Sequence, residues 1–248
     1  MSIHATLRER SKRGKKSIAV LLDPDKVEDS SKLLPLINLA SENCVDYFFV
    51  GGSLVTTTNM SEVVGKIKEH VSIPVILFPG NSIQLEPSAD AILFLSLISG
   101  RNPELLIGQH VLAAPIIRNT RLEVIPTGYM LINSGRITSA AYISNTTPLP
   151  EDKYSLAACT AMAGEMLGLQ CIYLDAGSGA EREISQKMIA SVRKAVSVPL
   201  IVGGGINTAQ KAQNALEAGA DMIVIGNALE KNPELLIEIS EKVYEWNN

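Results

Sequence analysis

Three glycine-rich segments close successive apolar runs in the second half of the chain: Asp175-Ala176-Gly177-Ser178-Gly179, Gly203-Gly204-Gly205 and Gly226-Asn227. Glycines let backbone N–H groups approach an anion closely, and a helix N-terminus following such a turn adds partial positive charge, so three in succession suit a phosphate monoester. No Lys or Arg lies among them. Tight strand-to-helix turns with no ligand are the structural alternative. Two earlier runs end differently, in Asp23-Pro24-Asp25-Lys26 and Gly51-Gly52-Ser53. Asp23 and Ser53 offer hard oxygens to Mg²⁺, which takes one or two protein carboxylates and keeps its other positions for water and substrate phosphates. A plain loop carboxylate before a proline is the competing reading of Asp23.

Tyr173 and Asp175 are two apart, so on a strand they share a face beside the first glycine loop. Asp175 is thereby a candidate general base, or alternatively the cap of the next helix. Tyr129 follows Thr127-Gly128 and could hydrogen-bond a polar substrate, or be a core aromatic with a satisfied hydroxyl. His4, His70 and His110 fall on expected helices away from strand ends, where surface or structural roles are expected.

Eight short aliphatic runs carry these residues: Ser17–Leu22, Asp46–Val50, Pro74–Phe78, Ala91–Leu95, Glu123–Ile125 continuing past Gly128 into Tyr129–Ile132, Cys171–Asp175, Pro199–Val202 and Met222–Ile225. Helical patterns fall at 30–43, 61–70, 103–113, 152–167, 184–195, 208–218 and 233–246, mostly behind a capping-type residue. Strands apolar on both faces belong to parallel sheets covered on both sides, and eight βα units match a (β/α)8 barrel better than an open sheet. The expectation is one barrel domain over residues 1–248, with 1–16 as an N-terminal helical extension. An irregular connection is expected between Ala113 and Gly128.

The composition agrees. With 248 residues, 46% hydrophobic and 19% charged, the chain can fill one large core. Its 22 basic and 26 acidic side chains leave a net charge of -4, which gives no field to recruit nucleic acid. Cys44, Cys159 and Cys171 lack a CxxC spacing and read as buried small hydrophobes. No run approaches the ~20 apolar residues of a membrane span, so a cytoplasmic protein is expected.

The segments LLDPDK at 21–26, FFVGGS at 48–53, EVIPTGYML at 123–131, IYLDAGSGA at 172–180, LIVGGGI at 200–206 and IVIGNALE at 223–230 together resemble the geranylgeranylglyceryl phosphate synthase family, in particular its second group. The resemblance implies a modified TIM barrel with an irregular third helical segment. It also implies Mg²⁺-dependent transfer of a prenyl chain, geranylgeranyl above all, from its diphosphate to the primary hydroxyl of sn-glycerol 1-phosphate. Carried over by position, the family's metal residues fall on Asp23 and Ser53. Its glycerol phosphate site falls on Tyr173, Leu174, Asp175, Ala176, Gly177, Ser178 and Gly179, on Gly204 and Gly205, and on Gly226 and Asn227. Many members carry Glu at the position of Asp175. The prenyl tail needs an apolar groove, for which Ile92, Phe94, Leu95, Leu97 and Ile98 with Tyr129 are candidates. Family members associate as dimers or larger assemblies, and Leu105, Leu106, Val111 and Leu112 on the 102–113 helix are candidates to meet a partner subunit. The competing readings are a phosphosugar isomerase, a flavin-dependent barrel and a non-catalytic phosphate sensor. The first usually needs paired acid and base residues, and the fifth strand carries no carboxylate after Glu123.

Overall fold

The computed structural model describes residues 2–27, 30–57 and 59–248. Eight parallel strands close into a barrel in chain order: β1 (Ser17–Leu22), β2 (Tyr47–Val50), β3 (Val75–Leu77), β4 (Ala91–Leu97), β5 (Glu123–Leu131), β6 (Cys171–Asp175), β7 (Leu200–Gly203) and β8 (Met222–Ile225). The last strand pairs with the first, Ser17 opposite Met222. The unbroken apolar runs follow from two separate cores. Ile18, Val20 and Leu22 of β1, with Phe48 and Val50 of β2, face the helical layer. Ala19, Tyr47 and Phe49 alternate with them and fill the barrel interior. Glu123–Leu131 is one strand rather than two pieces, because Pro126 and Gly128 both stay in register opposite Phe94 and Ser96.

The helices are α1 (Ile3–Lys12), α2 (Ser30–Glu42), α3 (Met60–His70), α4 (Gln109–Ile117), α5 (Ser139–Ser144), α6 (Tyr154–Met166), α7 (Gln186–Ala195), α8 (Ala209–Glu217), α9 (Asn227–Lys231) and α10 (Leu235–Asn247). α1 does more than extend the chain. Ser2 Oγ, Ile3 N and His4 N donate to the Glu123 carboxylate that opens β5, at 2.5, 2.7 and 2.8 Å, and Leu7 packs into the interior core at the amino end of the strands.

The layer is irregular on one side. Between β3 and β4 no α-helix forms; a single 3₁₀ turn, Ser82–Gln84, replaces it, capped by Asn81. This is the irregular third segment that the family resemblance implies. After β4 the chain makes a π-helix over Glu104–Gly108 and runs directly into α4. The expected irregular connection after Ala113 is instead helical to Ile117, since α4 accommodates Pro115. The wide π turn also divides the four expected partner-facing residues. Leu105 and Leu106 turn inward, whereas Val111 and Leu112 stay 63% and 60% exposed beside Ile107 and Ile116.

Only Cys171 is a buried cysteine. Cys44 sits in left-handed backbone just past α2, and Cys159 lies on the solvent side of α6, whose Ala157 and Ala161 face the core.

Candidate active site at the barrel mouth

The three glycine segments meet at the carboxyl ends of β6, β7 and β8. Gly204 has φ +80°, and a Cβ there would fall 2.7 Å from Asp175 Oδ1 and 2.8 Å from Gly177 N, so only glycine lets the β6 and β7 loops approach this closely. Gly203 is small for another reason: a Cβ would collide with the Tyr173 hydroxyl. Asn227 Nδ2 donates to Ser178 Oγ at 2.8 Å and ties the β8 loop to the β6 loop.

Of the helix termini expected behind these loops, that of α9 begins directly at Gly226-Asn227, whereas those after the first two segments start beyond intervening residues. α7 begins at Gln186 behind its cap Ser185, and α8 at Ala209 behind Thr208, so the loops offer backbone amides without those helix ends. Leu174 and Ala176 also depart from expectation. Both side chains are buried in the outer core between sheet and helices, which leaves only their backbone to line the mouth. A cation that no motif signalled arrives from the β5–α5 loop: Arg136 lies against Gly179, where a Cβ would sit 2.5 Å from its Nη2.

Asp175 is 7% exposed. Tyr129 Oη donates to its Oδ2 at 2.5 Å, and Gly177 N donates to its Oδ1 at 2.7 Å. Burial pushes the carboxyl above the ordinary aspartate range, opposed by these two hydrogen bonds. It caps no helix, since α7 starts well downstream behind Ser185. Phe78, Tyr129 and Tyr173 form the floor, with Phe78 and Tyr173 stacked at 5.2 Å and Phe78 and Tyr129 edge to face at 5.8 Å. Of the two readings of Tyr129, the hydroxyl is satisfied, and its partner is Asp175.

At the ends of β1 and β2, the two acids of Asp23-Pro24-Asp25 part company. Asp25 accepts from Thr56 N, Thr56 Oγ1, Thr57 N and Thr57 Oγ1 at 2.8–3.0 Å, and is consumed in fixing that loop. Among the described residues Asp23 accepts only Asp25 N, at 3.2 Å, and stands 3.7 Å from Lys26 Nζ. Burial raises its pKa, with Lys26 and the Asp25 amide opposing. Asp23 and Ser53 lie at the same end of adjacent strands, Leu22 being paired with Val50. The Gly51-Gly52 turn between them is held by Gln84, a residue sequence reasoning passed over. Its Nε2 donates to Gly52 O at 2.9 Å, and its Oε1 accepts from Gly52 N and Gly80 N. Among the described residues no group of three or more His, Cys, Asp or Glu converges to cage a metal. One carboxylate and one hydroxyl do suit an ion that keeps waters and takes phosphate oxygens.

From Ser53 an apolar cavity of about 290 Å³ runs past Tyr129 and Leu97 and along β4 beneath the π-helix and α4, between Ile92 and Ala113. Of the six groove candidates, Ile92, Phe94, Leu95, Leu97 and Tyr129 line it. Ile98 does not; it packs behind the sheet, with its Cδ1 against Gly128 and Gly164. His110 lines the cavity too, edge-on to Phe94 at 4.5 Å, whereas His70 is exposed.

Comparison with known proteins agrees with this geometry. The model of the PcrB family matches residues 10–243. A geranylgeranylglyceryl phosphate synthase of Spirosoma linguale is 58% identical over 97% of this chain and 96% of its own length. One of Chitinophaga pinensis is 52% identical over 98% and 96%. The crystal structure of (S)-3-O-geranylgeranylglyceryl phosphate synthase from Thermoplasma acidophilum, in complex with its substrate sn-glycerol-1-phosphate, superposes with a TM-score of 0.92 at 30% identity, covering 99% of both chains. With a family model spanning nearly its whole length and relatives aligned from end to end, this chain belongs to the PcrB family.

Proposed function

We propose that the protein transfers a prenyl chain, geranylgeranyl foremost, from its diphosphate to the primary hydroxyl of sn-glycerol 1-phosphate. One observation carries the reading: Tyr129 lines the apolar cavity and also donates to Asp175 beside the glycine loops. A long apolar chain and a small phosphate ester would therefore meet at one buried carboxylate. Amides of the β6, β7 and β8 loops hold the glycerol phosphate, with Ser178 and Asn227 closing over it. The Tyr129 hydroxyl and the Gly177 amide orient Asp175, which takes the proton of the attacking hydroxyl as its oxygen bonds the allylic carbon and the bond to diphosphate breaks.

Asp23 and Ser53 would hold Mg²⁺. The chemistry such an ion supplies is neutralisation of the departing diphosphate. The donor set supports this assignment because Asp25 is saturated by Thr56 and Thr57 while Asp23 keeps free lone pairs. The exposed face of Ile107, Val111, Leu112 and Ile116 on the π-helix and α4 suits a second copy of this chain. No helix among the described residues is long and apolar enough to cross a membrane, which fits a cytoplasmic enzyme.

The test is incubation of the purified protein with Mg²⁺, labelled sn-glycerol 1-phosphate and prenyl diphosphates of several lengths. A labelled ether product is expected, and binding without turnover would favour a sensor instead. Light scattering should give a mass above the 26.6 kDa of one chain; a monomer at all concentrations would remove the second copy.

A further inference from the structure

Lys26 ends the short 3₁₀ turn Pro24–Lys26 that follows β1, and its ammonium reaches the loop after β8, the strand paired with β1. Nζ lies 2.7 Å from Asn227 Oδ1 on the β8 loop, 3.2 Å from Glu230 Oε1 on α9 and 3.7 Å from Asp23 Oδ2. One cation thus touches a residue from each of the two anion sites. The other cations around the phosphate loops have their partners away from the β1 and β2 loops. Arg182 pairs with Glu151 at 3.0 Å, Lys211 pairs with Glu183 at 3.1 Å, and Arg136 rests on the β6 loop at Gly179. Among the described residues, Lys26 is the cation that ties the β1 loop to the β8 loop at the carboxyl ends of the strands.

From this placement we infer that Lys26 is the cation shared by both substrates, contacting the phosphate of glycerol phosphate on one side and the diphosphate on the other, and so coupling their binding. The inference rests on the proposed function and adds to it a residue that belongs to neither site alone. Its physical basis is charge. A phosphate and a diphosphate held within one barrel mouth repel each other, and a cation between them offsets that repulsion. Lys26 is held by two carboxylates, Asp23 and Glu230. Once a divalent cation occupies Asp23, that carboxylate no longer competes for the ammonium, which is free to turn toward the incoming anions. Glu230 acts as the tether that keeps the lysine side chain beside the β8 loop.

The experiment is calorimetry on the full-length protein with two non-reacting probes, sn-glycerol 1-phosphate and inorganic diphosphate with Mg²⁺, each titrated alone and in the presence of the other. Coupling between binding sites is reciprocal, so both orders must return the same factor. In the unaltered protein each probe should bind with the other present at an affinity within about threefold of its affinity alone, a coupling well under 1 kcal/mol. Lys26→Met should weaken both probes by about tenfold and make each antagonise the other by about tenfold more. Lys26→Arg, which keeps the charge, should recover most of both effects; this arm stays decisive if the Met variant folds poorly. Unchanged affinities in Lys26→Met, or weakening of one probe with the coupling factor unaltered, would overturn the shared role and leave Lys26 a tie between β1 and α9. If the unaltered protein binds neither probe, the proposed function falls first and the inference with it.

Discussion

The two sides of the barrel mouth are built in opposite ways. Around β6, β7 and β8 each strand is backed by a regular amphipathic helix, with Met188, Ile189 and Val192 of α7 and Ala212, Ala215 and Leu216 of α8 facing the core. There the loops close until a Cβ at Gly204 would touch the neighbouring loop. Around β3 and β4 one helix is missing, a π turn widens the next, and the outward side chains Ile92 and Phe94 border a cavity instead of a packed helix. The difference teaches how one fold can take a small rigid anion and a long flexible chain. Dense packing positions backbone amides to a fraction of an ångström, whereas omitting one layer element leaves room for hydrocarbon.

The sharpest way to break this division is at Asp175, where the two sides meet. Asp175→Asn should lower kcat by about 10²–10⁴-fold, the usual share of a positioned proton acceptor, while glycerol phosphate affinity holds. Because burial raises this carboxyl, kcat/KM should fall with decreasing pH through a midpoint above 3.8, the ordinary value for aspartate. The same limb should be missing from the Asn variant's residual rate. A loss of only a few-fold would hand the proton to solvent or to the released diphosphate.

Tyr129→Phe removes the hydroxyl that bridges the sides. Hydrogen bonds to charged groups are worth about 1.5–3 kcal/mol, so a decrease in kcat of roughly 10–100-fold is expected. The acid limb should also move to higher pH, because the lost bond favoured ionised Asp175. A lower rate with an unmoved limb would make Tyr129 a packing residue. Ala113→Phe should fill the deep end of the cavity beneath α4. Overpacking costs typically 1–3 kcal/mol, so transfer of a C20 chain should fall by about 5–100-fold while shorter diphosphates and glycerol phosphate binding are spared. If glycerol phosphate binding falls in parallel, the two sides are not independent.

The smallest effect is on stability. A carboxyl whose pKa is raised on folding binds its proton more tightly in the native state, so the native state loses stability as pH rises through that range. Asp175→Asn should therefore shift the urea midpoint upward at pH 7, and the difference should vanish below the pKa of the unfolded carboxyl. A lower midpoint at pH 7 would mean that the hydrogen bonds from Tyr129 and Gly177 outweigh the cost of burial.

The reach of the sequence can be followed residue by residue. Ser17–Leu22, Cys171–Asp175 and Met222–Ile225 stand where their apolar runs end, because a strand sandwiched between two cores is apolar on both faces over most of its length. The glycines after β6 and β7 were readable for a similar reason: a left-handed or crowded backbone leaves few other choices. Local pattern could not say which of Asp23 and Asp25 keeps its lone pairs, since that depends on Thr56 and Thr57 from the next loop. Nor could it find Gln84, Arg136 or the reach of Lys26 to Asn227, which join residues distant in the chain.

What the sequence determined by itself is therefore the barrel, its strand order and the glycine turns that close the later strands, all of which follow from periodicity, burial on both faces and glycine geometry. Only the tertiary structure decided that Asp175 is buried beneath a Tyr129 hydroxyl, that Ile98 turns away from the cavity, and that the Lys26 ammonium meets Asp23, Asn227 and Glu230. Those outcomes depend on side chains converging from strands far apart in sequence, where the competition among burial, hydrogen bonding and charge is settled by contact rather than by order along the chain.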